Sequence, residues 1–79
     1  MTQEIYLATW DHKHGLDHSI HKSHEGAFAQ LIQWAREALE EWGSAGDYVD
    51  YTDKELISNW PKISGETEFM WVEDYKLND

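Results

Sequence analysis

The chain contains no cysteine among its 79 residues, which excludes disulfide scaffolds, thiolate zinc sites and cysteine nucleophiles. Proline occurs once, and no run of 18 or more apolar residues is present, so we expect no membrane-spanning segment. Residues 1–4 lack the basic segment and the apolar stretch of a signal peptide. These absences together favour a cytoplasmic protein.

Basic residues are also scarce. Six lysines and arginines stand against sixteen acids, a formal net charge of −10. The imbalance lies in residues 37–79, whose twelve acids and three lysines give −9, whereas residues 1–36 carry −1. Direct binding to nucleic acid or to an anionic membrane would oppose this charge, and the excess is larger than solubility requires. We therefore expect a partner with a basic protein surface.

The chain has no glycine-rich phosphate loop and no Gly-x-Ser-x-Gly nucleophile elbow. Carboxylates occur in pairs, such as Glu40 with Glu41 and Glu73 with Asp74. A general acid needs a shielded pocket, however, which a domain of this size can scarcely build. We accordingly predict no catalytic residues, no cofactor and no enzymatic activity.

All five histidines lie between His12 and His24. Neutral imidazoles bind zinc, nickel or copper, so a metal-binding domain is one alternative interpretation. The predicted strand, however, places His18 and His21 on opposite faces. We assign no metal ligand, and we interpret the histidines as ordinary turn and surface residues.

Apolar residues make up 41% of the chain, enough to form a core for one domain over residues 1–79. Residues 5–10 are apolar at both odd and even positions, which predicts a central strand buried on both sides or nearly so. A hairpin turn follows at residues 12–15, where Gly15 can take a positive φ angle. Residues 16–21 alternate apolar and polar side chains, which predicts a second, antiparallel and half-buried strand.

Apolar residues recur at three- and four-residue spacing from residue 24 to 42, which predicts a helix with Ser23 as its N-cap and Gly43 as its stop. Residues 46–51 are ambiguous, a loop or a short extended segment. Residues 52–55 read Thr-x-x-Glu, a capping box that opens a short helix ended by Pro61, and residues 67–75 read as a third strand. The order β-β-α-α-β predicts an α+β domain, with a three-stranded antiparallel sheet carrying one long and one short helix on one face.

Acids alternate with aromatic residues over residues 47–53 and 66–75. Carboxylates at near-regular spacing on a surface can imitate the phosphates of a duplex, and tyrosines beside them provide rigid contact area. The alternative is that the acids only keep an aromatic-rich domain in solution. We assign the predicted partner-binding surface to these residues: Glu37, Glu40, Glu41, Asp47, Tyr48, Asp50, Tyr51, Asp53, Glu55, Glu66, Glu68, Glu73 and Asp74.

Five tryptophans are more than a core of this size can bury completely. Trp34 lies at the edge of the apolar stripe of the predicted helix, so it is the first candidate among the five for exposure, and the equal alternative is partial burial over the edge of the sheet. An exposed tryptophan is a candidate anchor for a partner or for a second copy of the chain.

The segment 5–15, which ends in His12-x-His14-Gly15, and the later Leu31-x-x-Trp34 resemble small uncharacterised proteins encoded by phages and mobile elements. The acidic, cysteine-free composition is also similar to that of anti-CRISPR proteins. The resemblance implies a non-enzymatic inhibitor in the host cytoplasm, which docks a nucleic-acid-mimicking face onto a basic surface of a CRISPR effector or similar complex. The protein would be a monomer or a homodimer. The alternatives are a dimerising interaction module that uses exposed aromatic residues and, less favoured, the metal-binding domain.

Overall fold

The computed structural model describes residues 2–78, and it has the predicted α+β architecture. The chain forms three strands and three α-helices, with a short 3-10 helix between the first two helices. In chain order the elements are β1 (Thr2–His12), β2 (Gly15–His21), α1 (His24–Glu41), the 3-10 helix (Ala45–Tyr48), α2 (Asp53–Ser58), α3 (Trp60–Ile63) and β3 (Phe69–Asn78).

The sheet is antiparallel with the strand order β2-β1-β3, so β1 is the central strand as predicted. The β1–β2 hairpin turns at Gly15, whose φ of 130° is accessible to glycine and strained for other residues. The registers place Thr9 opposite His18 on one side and opposite Trp71 on the other. Side chains of such opposed residues share a face of the sheet.

Both predicted helix starts are confirmed. The Ser23 hydroxyl accepts a hydrogen bond of 3.0 Å from the Gly26 amide at the start of α1. At the start of α2, Thr52 and Glu55 form the reciprocal capping box. These bonds satisfy amides that have no partner within the helix, which fixes where each helix begins.

Two local predictions need correction. Residues 45–48 form a 3-10 helix, whereas residues 49–51 of the ambiguous segment form a turn and a loop, one of the two predicted alternatives. Pro61 does not end a helix but lies in the first turn of α3, since α2 already stops at Ser58. Proline is favoured in a first turn because the amide it lacks would have no partner there anyway.

The core lies between the helices and one face of the sheet. One cluster of buried residues centres on Leu39, Leu56 and Trp60, and a second joins Ala8 of β1 to Ala27 and Leu31 of α1. Tyr6, Ala8 and Trp10 of β1 face this core, and Met70 and Val72 of β3 pack with them.

The prediction that β1 is buried on both sides or nearly so holds only in part. Every helix within residues 2–78 packs on the core side, so the odd-numbered residues of β1 face away from the helices. Thr9 is buried there by its neighbours on the adjacent strands, but Ile5 and Leu7 are only half-buried. The sheet therefore has a second face without a helical layer.

Candidate interaction surfaces

Seven of the predicted acids lie in the helical part of the molecule and form what we call the acidic surface. They come from the second half of α1, from the 3-10 helix and the turn after it, and from the start of α2. Each of the seven is exposed. They are Glu37, Glu40, Glu41, Asp47, Asp50, Asp53 and Glu55.

Besides Glu37, which accepts a hydrogen bond of 3.2 Å from the Gln33 side-chain amide, two members of the acidic surface have hydrogen-bond partners within the chain. Asp53 accepts a hydrogen bond of 2.8 Å from the Arg36 guanidinium, an ion pair that ties α1 to the start of α2. The Glu55 carboxylate accepts from the Thr52 amide as part of the capping box. Since both pairs are exposed, solvent and salt screen them, and their contribution to stability is small.

Glu40 and Glu41 lie in the last turn of α1, which contains no basic residue. The carbonyl end of a helix carries partial negative charge, so acids there are unfavourable by about 0.3–1 kcal/mol each. Glu37 lies one turn before Glu41 on the same side of the helix, and like charges at this spacing repel as well. The sequence thus concentrates negative charge at a point where it costs folding free energy.

The two predicted contact tyrosines are partly structural. Tyr48 packs against the Leu39 and Trp60 cluster, and its ring meets that of Tyr51 edge to face, with 5.1 Å between the ring centroids. Both tyrosines are half-buried. They present only part of each ring to a partner, while the rest holds the segment after the 3-10 helix against the core.

The remaining predicted acids lie outside the helical segments that contribute the acidic surface. Glu66 is exposed in the turn before β3. Glu68 is only 4% exposed and accepts a 2.9 Å hydrogen bond from the Trp10 indole, so it is withdrawn from any partner surface. Asp74 projects from the core side of β3, opposite Tyr6, which contacts the first residue of α1. This places Asp74 near the opposite end of that helix.

An apolar groove of about 500 Å³ lies between the first half of α1 and the start of α2. Phe28, Ala29 and Ile32 form its apolar wall, and Asp53 and Lys54 lie at its polar edge. Through Asp53 the groove adjoins the acidic surface. It can hold an aliphatic or aromatic side chain of a partner bound there.

The face of the sheet opposite the helices is largely apolar, and we call it the open sheet face. Six large hydrophobic side chains on its two outer strands, β2 and β3, are 37% to 69% exposed. Those on β2 are the apolar residues of the alternating segment 16–21, for which the sequence predicts a half-buried strand. The six residues are Leu16, Ile20, Phe69, Trp71, Tyr75 and Leu77.

Glu73 lies within this open sheet face between two aromatic residues of the same strand. Its carboxylate accepts hydrogen bonds from the Tyr75 hydroxyl and from the Trp71 indole. These bonds, with Tyr75 contributing most, hold the pKa of the Glu73 carboxyl below its usual range, and they raise the pKa of the Tyr75 phenol. His18, which hydrogen-bonds to the Thr9 hydroxyl on the same face, lowers the Glu73 pKa further through its charge.

Trp34 follows the predicted alternative of partial burial and is not one of the exposed tryptophans. Trp34 is half-buried and packs beside Trp10, with 6.1 Å between ring centroids. The exposed tryptophans are Trp71 on the open sheet face and Trp42, which is 43% exposed and stacks on buried Trp60. Trp42 is the first residue after the helix and adjoins Glu41. Its position directly before the predicted helix stop at Gly43 is the sequence signal that indicates exposure.

The histidines do not converge. His12 pairs with Asp17 at 2.9 Å, His18 faces the open side of the sheet, and His21 contacts the start of α1. Across residues 2–78, no group of three or more histidine, aspartate or glutamate side chains is arranged to hold a metal ion. The alternative of a metal-binding domain therefore gains no geometric support.

Comparisons of this chain with protein-family models, with curated proteins and with solved structures find no match. The resemblance to anti-CRISPR proteins therefore stays a prediction. In the part of the chain that the structure describes, none of the helices is long and apolar enough to cross a membrane.

Proposed function

We propose that this protein is a non-enzymatic inhibitor that binds a basic, nucleic-acid-binding protein surface through its acidic surface, in the manner of a nucleic-acid mimic. A CRISPR effector complex is the partner that the sequence resemblance favours. The observation that carries the proposal is the set of seven exposed carboxylates on the helical part, of which only Asp53 is ion-paired with a cation within residues 2–78.

The placement of these acids supports a role in binding. Folding alone would favour lysine or arginine in the last turn of α1, yet the chain has Glu40 and Glu41 there. Sequences that oppose a local stability preference do so most often at functional sites. A cationic groove of a partner would relieve the repulsion among these carboxylates and would release counterions on binding.

Apolar contacts next to the acids would add affinity that charge alone does not supply. Trp42 lies beside Glu41 with two-fifths of its surface exposed, and the groove near Asp53 has an apolar wall. Buried aromatic anchors contribute much of the binding energy of protein interfaces, whereas exposed charges mainly raise the association rate. The proposed contact thus combines electrostatic attraction with an apolar anchor at each end.

The test measures displacement of labelled DNA from a panel of purified, guide-loaded CRISPR effector complexes. We expect inhibition of DNA binding by at least one complex, and we expect it to weaken about tenfold or more as the salt concentration rises from about 50 to about 200 mM. The matched variants are Glu41→Lys, within the acidic surface, and Asp74→Lys, an exposed acid near the other end of α1.

Both variants change the net charge by the same amount, so general charge effects cancel between them. We expect Glu41→Lys to weaken inhibition and Asp74→Lys to retain most of it. Equal loss in the two variants would reject a localised surface. No displacement from any complex of the panel would reject the proposed partner class.

A further inference from the structure

We propose that the open sheet face is the interface of a homodimer, in which a second copy of the chain covers it with its own open sheet face. The two sheets would pack face to face as in a β-sandwich, about 10 Å apart, with the helices outermost. A two-fold axis brings the same patch of both copies together, so no other surface of the chain is required. The inference does not depend on the proposed function.

The direction in which the strands point their apolar side chains is the first argument. The alternating segment of β2 turns Leu16 and Ile20 away from the helices, while Ser19 and His21 face the core side. Strands with one covered face normally turn apolar residues toward the cover. The alternation along β2 therefore follows this rule only if a second layer covers the open sheet face.

The size of the patch is the second argument. Its six large side chains are 37% to 69% exposed, and side chains of this kind present about 150–250 Å² when they are free. Together they leave on the order of 500 Å² of apolar surface, at the upper end of what monomers expose. Two such faces would bury about 1,000 Å², the lower limit for a specific interface, which points to a dimer of modest affinity.

Several polar side chains of the open sheet face are already hydrogen-bonded within the chain. One oxygen of the Glu73 carboxylate accepts from Trp71 and the other accepts from Tyr75, while Thr9 and His18 bond to each other at 3.1 Å. Covering a polar group costs much less when its partners are already in place. A second sheet can therefore cover this face without leaving these side chains unsatisfied.

The distribution of charge favours a second copy over an acidic or a basic partner at this face. The acidic surface lies in the helical part, whereas the charged residues on the open side of the sheet are few, with Asp11 and Glu73 near His18. Face-to-face packing of the sheets places the two acidic surfaces on opposite outer sides of the pair. Repulsion between copies of net charge −10 is then smallest in this arrangement.

Sedimentation velocity over a protein concentration range from about 1 to about 300 μM tests the inference. We expect the mass to rise from one protomer toward two, with a dissociation constant in the micromolar range. The interface variant is Ile20→Lys and its control is Val49→Lys, because these β-branched residues are 69% and 72% exposed on opposite sides of the molecule. We expect Ile20→Lys to raise the dissociation constant about tenfold or more and Val49→Lys to leave it near that of the wild type.

A second interface variant, Leu16→Lys, keeps the test valid if Ile20→Lys does not fold, and circular dichroism at the lowest concentration checks each variant. A wild-type chain that stays monomeric to the highest concentration would overturn the inference. It would also be overturned if Val49→Lys dissociated the dimer as strongly as the two sheet variants.

Discussion

Glu73 combines two features that rarely occur together, a carboxylate with both oxygens hydrogen-bonded and a position within an apolar sheet face. Its ionised form accepts from Tyr75 and Trp71, and protonation would weaken both bonds. The pKa of Glu73 is therefore below its value in the unfolded chain, and that of Tyr75 is above its own.

These shifts predict the pH range over which the contact stabilises the fold. Because the Glu73 pKa is lowered in the folded state, its contribution is complete above the unfolded value, near 4.5, and is lost as the pH falls through the folded pKa. Because the Tyr75 pKa is raised, its contribution is complete below 10.0 and is lost as the pH rises through the folded value.

Carbon-detected NMR titration of the two side chains measures this effect. In Tyr75→Phe, we expect the Glu73 pKa to move back toward 4.5, because the hydrogen bond that lowers this pKa most is lost. Tyr51→Phe, on the helical side, is the control and should leave the Glu73 titration unchanged. If Glu73 titrates at the same pH in the wild type and in Tyr75→Phe, the hydrogen bond does not exist in solution.

Glu68 illustrates the limit of sequence reasoning for single residues. Its neighbours in the sequence are acidic, polar and aromatic, so the sequence predicts an exposed acid on the partner-binding surface. In the fold, the indole of Trp10, fifty-eight residues away, donates a hydrogen bond to it and covers it. A contact between residues so distant in the chain leaves no local pattern, and only the pairing of β1 with β3 brings the two together.

At the scale of the elements, the last turn of α1 provides a stability prediction. Replacing Glu41 with lysine removes an acid from the negative end of the helix and turns a repulsive pair with Glu37 into an attractive one. We expect the free energy of unfolding to rise by about 1 kcal/mol.

Urea unfolding at low protein concentration measures this change. The control is Glu25→Lys, which removes an acid from the favourable first turn of the same helix and should lower stability. A Glu41→Lys variant less stable than the wild type would mean that Glu41 makes a stabilising contact. If stability rises while inhibition of the effector weakens, binding and folding place opposite demands on this residue.

The elements themselves follow largely from local signals. The capping residues Ser23 and Thr52, the apolar spacing of α1 and the turn at Gly15 each depend on residues within a few positions, so the sequence predicts them well. The 3-10 helix was missed because one turn is too short to show a period. The open side of β1 was missed because a strand that is apolar at every position looks the same whether one face or both are covered.

At the scale of the whole molecule, the acids predicted to form one partner-binding surface do not all lie on the same surface. The acids of residues 37–55 lie on the helical part, whereas those near β3 separate into a turn, the core and both faces of the sheet. Which acids adjoin each other depends on the order of the strands and on where the helices pack. Counting charges along the sequence gives no information on either. The same long-range packing decides which sheet face stays open.

Ionic strength should separate the two proposed interfaces because they depend on opposite electrostatic effects. Docking of the acidic surface onto a cationic partner releases counterions, so its affinity should fall as the salt concentration rises from about 50 to about 500 mM. Self-association through the open sheet face buries apolar surface between copies that each carry −10, so screening their repulsion should strengthen it over the same range.

Sedimentation velocity and displacement of DNA from the effector, measured in the same salt series, test this prediction. We expect the two dissociation constants to change in opposite directions as the salt concentration rises. Val49→Lys changes the charge but leaves the sheet intact, so its self-association should still become stronger with salt. If self-association instead weakened with salt, attraction between unlike charges would be joining the copies. The dimer contact would then have to involve the helical part, because that is where the acidic surface lies.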